Sequence, residues 1–145
     1  MPGKTGVLRS DDFGQTWEAS SVGIDTTIYI KFLIQGESAE TLFLLGYGVG
    51  VNHVMYKSND NGASWNLANI NYDADLSLIS DLKCHNKSLY MAYVGGVLKS
   101  DDGGENWESI SVNLPAGSLG HLHLEGRKFI LGHMDMESGK HLLHL

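Results

Sequence analysis

The chain has 145 residues, of which 42% are hydrophobic and 19% are charged, and its net charge is −7. This composition is typical of a folded globular protein, and the ten Lys and Arg residues form no basic cluster, so nucleic acid and anionic membranes are disfavoured as partners. No apolar run reaches the roughly 18 residues of a membrane span, and the first residues show no apolar core of a signal peptide.

One eight-residue pattern, Ser-x-Asp-x-Gly-x-(Thr/Ser/Asn)-Trp, occurs at residues 10–17, 58–65 and 100–107, and we call each copy a box. All three tryptophans of the chain complete a box, and they are 48 and 42 residues apart. A repeat at a period of roughly 40–50 residues is typical of propeller blades and related arrays. The third box has Asn106 where Thr or Ser is usual, and the other residues of the pattern are Ser10, Asp12, Gly14, Thr16, Trp17, Ser58, Asp60, Gly62, Ser64, Trp65, Ser100, Asp102, Gly104 and Trp107.

Each box follows a short apolar stretch and leads into another, which predicts a β-hairpin with the box at its turn. The glycine allows a positive φ without steric cost, and the Asp and Ser side chains can bond turn amides that no strand pairing satisfies. The tryptophan is expected to cover the hairpin with a large apolar surface. We therefore assign the boxes a structural role.

Two further strands are predicted in each complete repeat, at residues 28–34 and 41–47 and at residues 78–84 and 88–94. Several of them are apolar on both faces, as in a sheet that is covered on both sides. No 3.6-residue periodicity persists, which excludes a helical repeat. The prediction is an all-β fold, a partial β-propeller of about three four-stranded antiparallel blades with the boxes in hairpins.

The chain is predicted to form one partial propeller over residues 1–145. Its parts are a half blade (5–20), two blades (28–70 and 78–112) and an incomplete blade (118–145) with strands at 119–124, 128–133 and 140–145. Closed propellers typically have four to eight blades. Two explanations are open: the favoured one is that the chain is a piece of a larger propeller, and the other is that two copies associate to complete one.

The boxes resemble the Asp-boxes, or bacterial neuraminidase repeats, of sialidase-like and sortilin-like propellers. The resemblance implies that each box joins the third and fourth strands of a blade, away from the central binding face. It also implies a location outside the cytoplasm. The family includes glycosidases, receptors and assembly factors, so it leaves the function open. The favoured interpretation is a non-catalytic module that binds a glycan or a protein, and the alternative is a fragment of a glycoside hydrolase whose catalytic residues lie in other blades.

Neither a metal nor another cofactor is expected. Each box offers one or two carboxylates, fewer than calcium requires. His121 and His123 share one strand face and could begin a zinc site with His133, His141 or His144, but a polar strand face is the favoured interpretation.

Catalytic residues are not assigned. Arg9 and Arg127 are too few for the arginine cluster of a sialidase, and Cys84 is expected to be a half-buried thiol. Three aspartates near the link into the third repeat could form the carboxylate pair of a glycosidase, although a solvated loop is favoured; they are Asp73, Asp75 and Asp81. Five tyrosines could stack on sugars but are expected to pack between sheets; they are Tyr29, Tyr47, Tyr72, Tyr90 and Tyr93.

Overall fold

The computed structural model describes residues 6–48, 50–68, 70, 79–111 and 118–135. Within these ranges the protein has twelve strands in four antiparallel sheets and no helix, which confirms the all-β class. It follows that the described part has no helix able to cross a membrane. The chain divides into two compact units, Met1–Asn69 and Ile70–Leu145.

The first unit contains a two-stranded and a four-stranded sheet, in which every strand pairs with its neighbour along the chain. The strands are β1 (Leu8–Arg9), β2 (Glu18–Ala19), β3 (Tyr29–Gln35), β4 (Leu42–Gly48), β5 (Val51–Ser58) and β6 (Asn66–Ala68). The sheets are β1-β2 and β3-β4-β5-β6, and boxes 10–17 and 58–65 form the hairpins β1-β2 and β5-β6.

The second unit contains the same two kinds of sheet in the opposite chain order. Its strands are β7 (Ile79–His85), β8 (Ser88–Tyr93), β9 (Gly96–Ser100), β10 (Glu108–Ser109), β11 (Ser118–Glu125) and β12 (Lys128–Asp135). They form the sheets β7-β8-β9-β10 and β11-β12, and box 100–107 lies between β9 and β10. The predicted strand at 140–145 lies outside the described residues.

The four sheets are consistent with a partial propeller, in which four-stranded antiparallel sheets follow one another along the chain. All three predicted box hairpins are confirmed. The division of the chain into blades with the predicted boundaries stays a prediction.

In the first unit, a core cluster joins the two sheets. It contains Val7 before β1, Ile24 and Ile28 from the segment between β2 and β3, Leu44, Tyr56 and Trp65. Residues 43–46 of β4 are buried without interruption, so both faces of the four-stranded sheet are covered, as its apolar sequence predicted. A Cβ at Gly46 would lie 2.8 Å from the carbonyl oxygen of Tyr29, so the glycine permits this close packing.

In the second unit, Tyr90, Ala92, Val97 and Leu122 form the cluster between the two sheets. The buried carboxylate of Asp81 reinforces it, because Oδ2 accepts a hydrogen bond from the Leu122 amide at 2.8 Å. The interpretation of Asp81 as a solvated loop residue was wrong. It lies in β7 and bonds β11, so a polar group that would otherwise be costly to bury has a hydrogen-bond partner.

Candidate functional site: box hairpins and an exposed tyrosine pair

The first box closes its own turn through Asp12. One carboxylate oxygen accepts hydrogen bonds from the Thr16 amide and the Ser10 hydroxyl, both at 2.8 Å, and the other accepts from the Thr16 hydroxyl at 2.6 Å. The Ser10 hydroxyl oxygen in turn accepts a bond from the Gly14 amide at 2.7 Å. Turn amides that no strand pairing can satisfy are thereby bonded.

The second box repeats these bonds atom for atom. Asp60 accepts from the Ser64 amide at 2.8 Å, from the Ser64 hydroxyl at 2.6 Å and from the Ser58 hydroxyl at 2.7 Å. The Gly62 amide donates to the Ser58 hydroxyl oxygen at 2.8 Å.

The third box reaches the same arrangement with a different donor. Asn106 stands where the other boxes have Thr or Ser, and its side-chain amide donates to Asp102 at 2.7 Å. The Asn106 backbone amide and the Ser100 hydroxyl donate to the other carboxylate oxygen at 2.9 and 2.8 Å. All three boxes therefore have a side-chain hydrogen-bond donor at this position, and the donor need not be a hydroxyl.

These hydrogen bonds stabilise the ionised carboxylates. The Thr16 and Ser64 hydroxyls, followed by the amides of the same residues, lower the pKa of Asp12 and Asp60 to about 2. The Asn106 backbone amide, followed by its side chain, lowers the pKa of Asp102 to about 2. In the described part of the chain, no three His, Cys, Asp or Glu side chains come close enough together to hold a metal ion.

Each box turn contains two successive residues with positive φ. The second is always the box glycine, as expected, and the first is Phe13 (58°), Asn61 (56°) or Gly103 (76°). The positive φ at this first position was not predicted from the sequence. The sequence feature that could have indicated it is the presence of Asn61 and Gly103 at this position, since Asn and Gly tolerate a positive φ best. Phe13 adopts the same conformation at a steric cost.

The box tryptophans differ in their surroundings. The indoles of Trp17 and Trp107 donate to the glycine carbonyl of their own box, at 3.1 and 3.0 Å. Trp65 donates instead to the Ser20 carbonyl at 2.9 Å, so it is bonded to the segment that follows the first hairpin. Trp65 and Trp107 are 3% and 7% exposed, whereas Trp17 is 61% exposed. Trp17 thus lies against its own turn, as its hydrogen bond to Gly14 shows, but most of its surface is exposed.

Residues 20–23 fit closely against the second box. The Ser20 hydroxyl donates to the Gly62 carbonyl, and the Trp65 amide donates to the Val22 carbonyl at 2.8 Å. Gly23 has a φ of 94°, and a Cβ there would lie 2.0 Å from the Trp65 carbonyl oxygen. Residues 20–23, which lie more than 40 residues earlier in the chain, thus bury Trp65.

An exposed aromatic pair lies at the other end of the same sheet. Tyr29 and Tyr47 are opposite one another in the β3-β4 register, and their rings stack with centroids 5.5 Å apart and an interplanar angle of 27°. About half of each side chain is exposed. Because β3 begins and β4 ends there, the pair lies at the opposite end of the strands from box 58–65.

The expectation that tyrosines pack between sheets is wrong for this pair and correct for Tyr90. The Tyr90 ring is buried and meets the Phe129 ring edge-on at 4.9 Å. Tyr93 is partly buried, and Tyr72 lies outside the described residues.

The other candidate residues do not converge on one site. His121 and His123 are both exposed on β11, and the His121 imidazole lies 3.8 Å from the Asp81 carboxylate. Cys84 is partly buried and lines a shallow cavity with His123. Arg9 forms an exposed ion pair with Asp11 at 2.7 Å. Arg127 is exposed in the turn between β11 and β12. The candidates outside the described residues are His141, His144, Asp73, Asp75 and the side chain of His133.

Residues 8–19 match the family model of the BNR/Asp-box repeat. The match covers β1, the first box and β2, so the first hairpin is an Asp-box repeat. No curated protein matches the chain at a significant level.

Proposed function

We propose that the chain is a non-catalytic, sialidase-like Asp-box propeller module that binds glycans through the tyrosine pair Tyr29 and Tyr47. The observation that carries the proposal is the exposed stacking of the two rings at the end of the sheet opposite box 58–65. Two stacked and half-exposed rings form an apolar surface with a polar hydroxyl on each ring. Such a surface suits a sugar, which has apolar C–H faces and hydroxyl edges.

The neighbouring residues support this choice of ligand. The His53 ring lies 6.5 Å from Tyr47, tilted by 56°, so an imidazole stands beside the stacked rings. Binding sites for small molecules commonly combine aromatic surfaces with a few polar groups that fix the orientation of the ligand. A β-strand scaffold holds Tyr29 and Tyr47 in a fixed register, which limits the entropy lost on binding.

The box aspartates support a scaffold role. A general acid requires a raised pKa near the working pH, and a pKa of about 2 is the reverse. Asp81 is also bonded, through the amides of Leu82 and Leu122 at 2.9 and 2.8 Å. These carboxylates serve the fold in the proposed module, and the ligand contacts the opposite end of the first unit's four-stranded sheet.

The test is binding of a panel of immobilised neutral and sialylated oligosaccharides, followed by titration calorimetry with the best ligand. Tyr29→Ala and Tyr47→Ala should each lower affinity at least about tenfold, since the aromatic surface is the main contact. Tyr29→Phe should retain most of the affinity because the ring remains. Phe13→Ala is the matched control, because Phe13 is a fully exposed aromatic on the first box hairpin.

Two outcomes would contradict the proposal. Affinity that survives both alanine variants, or falls equally with Phe13→Ala, would place the ligand elsewhere. Release of reducing sugar from the bound oligosaccharides would favour the glycoside hydrolase alternative, which the same incubation therefore tests.

A further inference from the structure

The outer edge of β1 has no partner strand among the described residues. In the two four-stranded sheets, the strand that precedes a box is the third strand, and it pairs on both sides: β5 with β4 and β6, and β9 with β8 and β10. β1 precedes a box in the same way but pairs with β2 only. Its free backbone groups are a template for another strand.

Leu8 is exposed at a position where the equivalent residues are buried. Two residues before the box serine, the second and third repeats have Tyr56 and Leu98, which are 5% and 0% exposed. Leu8 occupies that position in the first repeat and is 62% exposed. Trp17 in the same hairpin is also 61% exposed, and exposed apolar side chains of this kind often mark an interface.

β12 is the complementary element. In the complete sheets the second strand, β4 or β8, pairs on both sides, whereas β12 pairs only with β11 within the described residues. Its inward residue Leu131 already packs against the cluster of Tyr90, Ala92 and Leu122. A strand added beside β12 would extend that cluster.

The register of such a pair follows from the sheet β7-β10. There His85 pairs with Ser88 at the first turn, Leu89 with the box serine Ser100, and Met91 with Leu98. Glu125 pairs with Lys128 at the equivalent turn, which makes Phe129 the counterpart of Leu89 and Leu131 the counterpart of Met91. Leu131 would then face Leu8, and Phe129 would face Ser10.

We propose that β12 of one copy pairs antiparallel with β1 of a second copy, with Leu131 opposite Leu8. The sheet β11-β12 of one copy and the sheet β1-β2 of the other would then form one four-stranded sheet, and the reciprocal pairing would form a second. The strands described in two copies would form six four-stranded sheets, within the range of four to eight blades that closes a propeller, whereas those described in one copy would form three. The proposal is independent of glycan binding.

Cross-linking tests the register. In a Cys84→Ser background, Leu8→Cys and Leu131→Cys are made in separate chains, mixed and oxidised, so that a disulfide between them can form only between copies. Directly opposed residues of paired strands are close enough for a disulfide. We expect the mixed disulfide dimer in high yield. Ile130→Cys, one residue from Leu131 and on the other strand face, is the control and should give severalfold less.

Association itself is measured by sedimentation equilibrium. We expect a mass of twice 15.8 kDa. Leu8→Asp should weaken the dimer at least about tenfold, because a carboxylate would enter an apolar interface. Leu67→Asp is the matched control, since Leu67 is 59% exposed on β6, and it should leave the dimer unchanged.

Three results would overturn the proposal. They are a monomer at every concentration, equal cross-linking by Leu131→Cys and Ile130→Cys, or a disulfide that forms only when both cysteines are in one chain. Loss of glycan binding by Tyr29→Ala would not bear on any of these measurements, so the two proposals fail separately.

Discussion

The first and second box hairpins are built alike and buried differently. Asp12 and Asp60 accept the same three hydrogen bonds, with lengths that agree to within 0.1 Å. Trp17 is nevertheless 61% exposed and Trp65 only 3%. All donors to each aspartate lie within four residues of it, whereas the cover of Trp65 comes from Ser20–Gly23. Local sequence therefore builds the hairpin, and a neighbouring segment decides how much apolar surface it buries.

The largest expected difference is between the two tryptophans. Trp65→Ala should lower the free energy of unfolding by about 3–5 kcal/mol, because it empties a buried site in the core. Trp17→Ala should lower it by less than about 1 kcal/mol, since most of that side chain already contacts solvent. Urea unfolding in the Leu8→Asp background measures both with a reduced contribution from association.

The control is the indole hydrogen bond, which both tryptophans make to a backbone carbonyl. If the bond rather than burial determined stability, the two alanine variants would lose similar amounts. That result would show that burial by residues 20–23 does not make Trp65 more important for stability than Trp17.

Acid unfolding tests whether the aspartates of the first two boxes contribute equally to stability. The pKa of Asp12 and Asp60 is about 2 in the folded protein against an ordinary value of 3.8. Their stabilising contribution is therefore complete above pH ~4 and is lost as the pH falls through the folded pKa near 2. Thermal unfolding followed by circular dichroism between pH 5 and pH 2 should show a steeper loss for the wild type than for either Asp→Asn variant.

Asp12→Asn and Asp60→Asn should reduce this pH dependence equally, because the donors are the same despite the different burial of the tryptophans. A pH dependence that disappears with Asp60→Asn and persists with Asp12→Asn would show that the covering segment, not the box alone, determines the carboxylate pKa.

The hairpins and strands, which depend on neighbouring residues, could be predicted from the sequence, but contacts between distant residues could not. The box period and its turn residues predict the three hairpins, and the apolar strands around Leu44 and Met91 predict sheets covered on both faces. The burial of Asp81 could not be predicted, because its partner amide belongs to Leu122, about 40 residues later. Tyr29 has an apolar neighbourhood in sequence, yet it lies at a strand end where the sheet leaves it half exposed.

The smallest expected effect concerns Phe13, a box residue whose backbone has a positive φ that is unfavourable for its side chain. Phe13 has a φ of 58° and is fully exposed, and the third box has Gly103 at this position. Phe13→Gly should raise the free energy of unfolding by about 0.5 kcal/mol, because relief of the left-handed strain exceeds the entropy cost of glycine. Gln15→Gly, in the same exposed turn but without a positive φ, should lower it. Urea midpoints in the Leu8→Asp background measure both, and a loss for Phe13→Gly as large as that for Gln15→Gly would show that the turn stores no strain at this position.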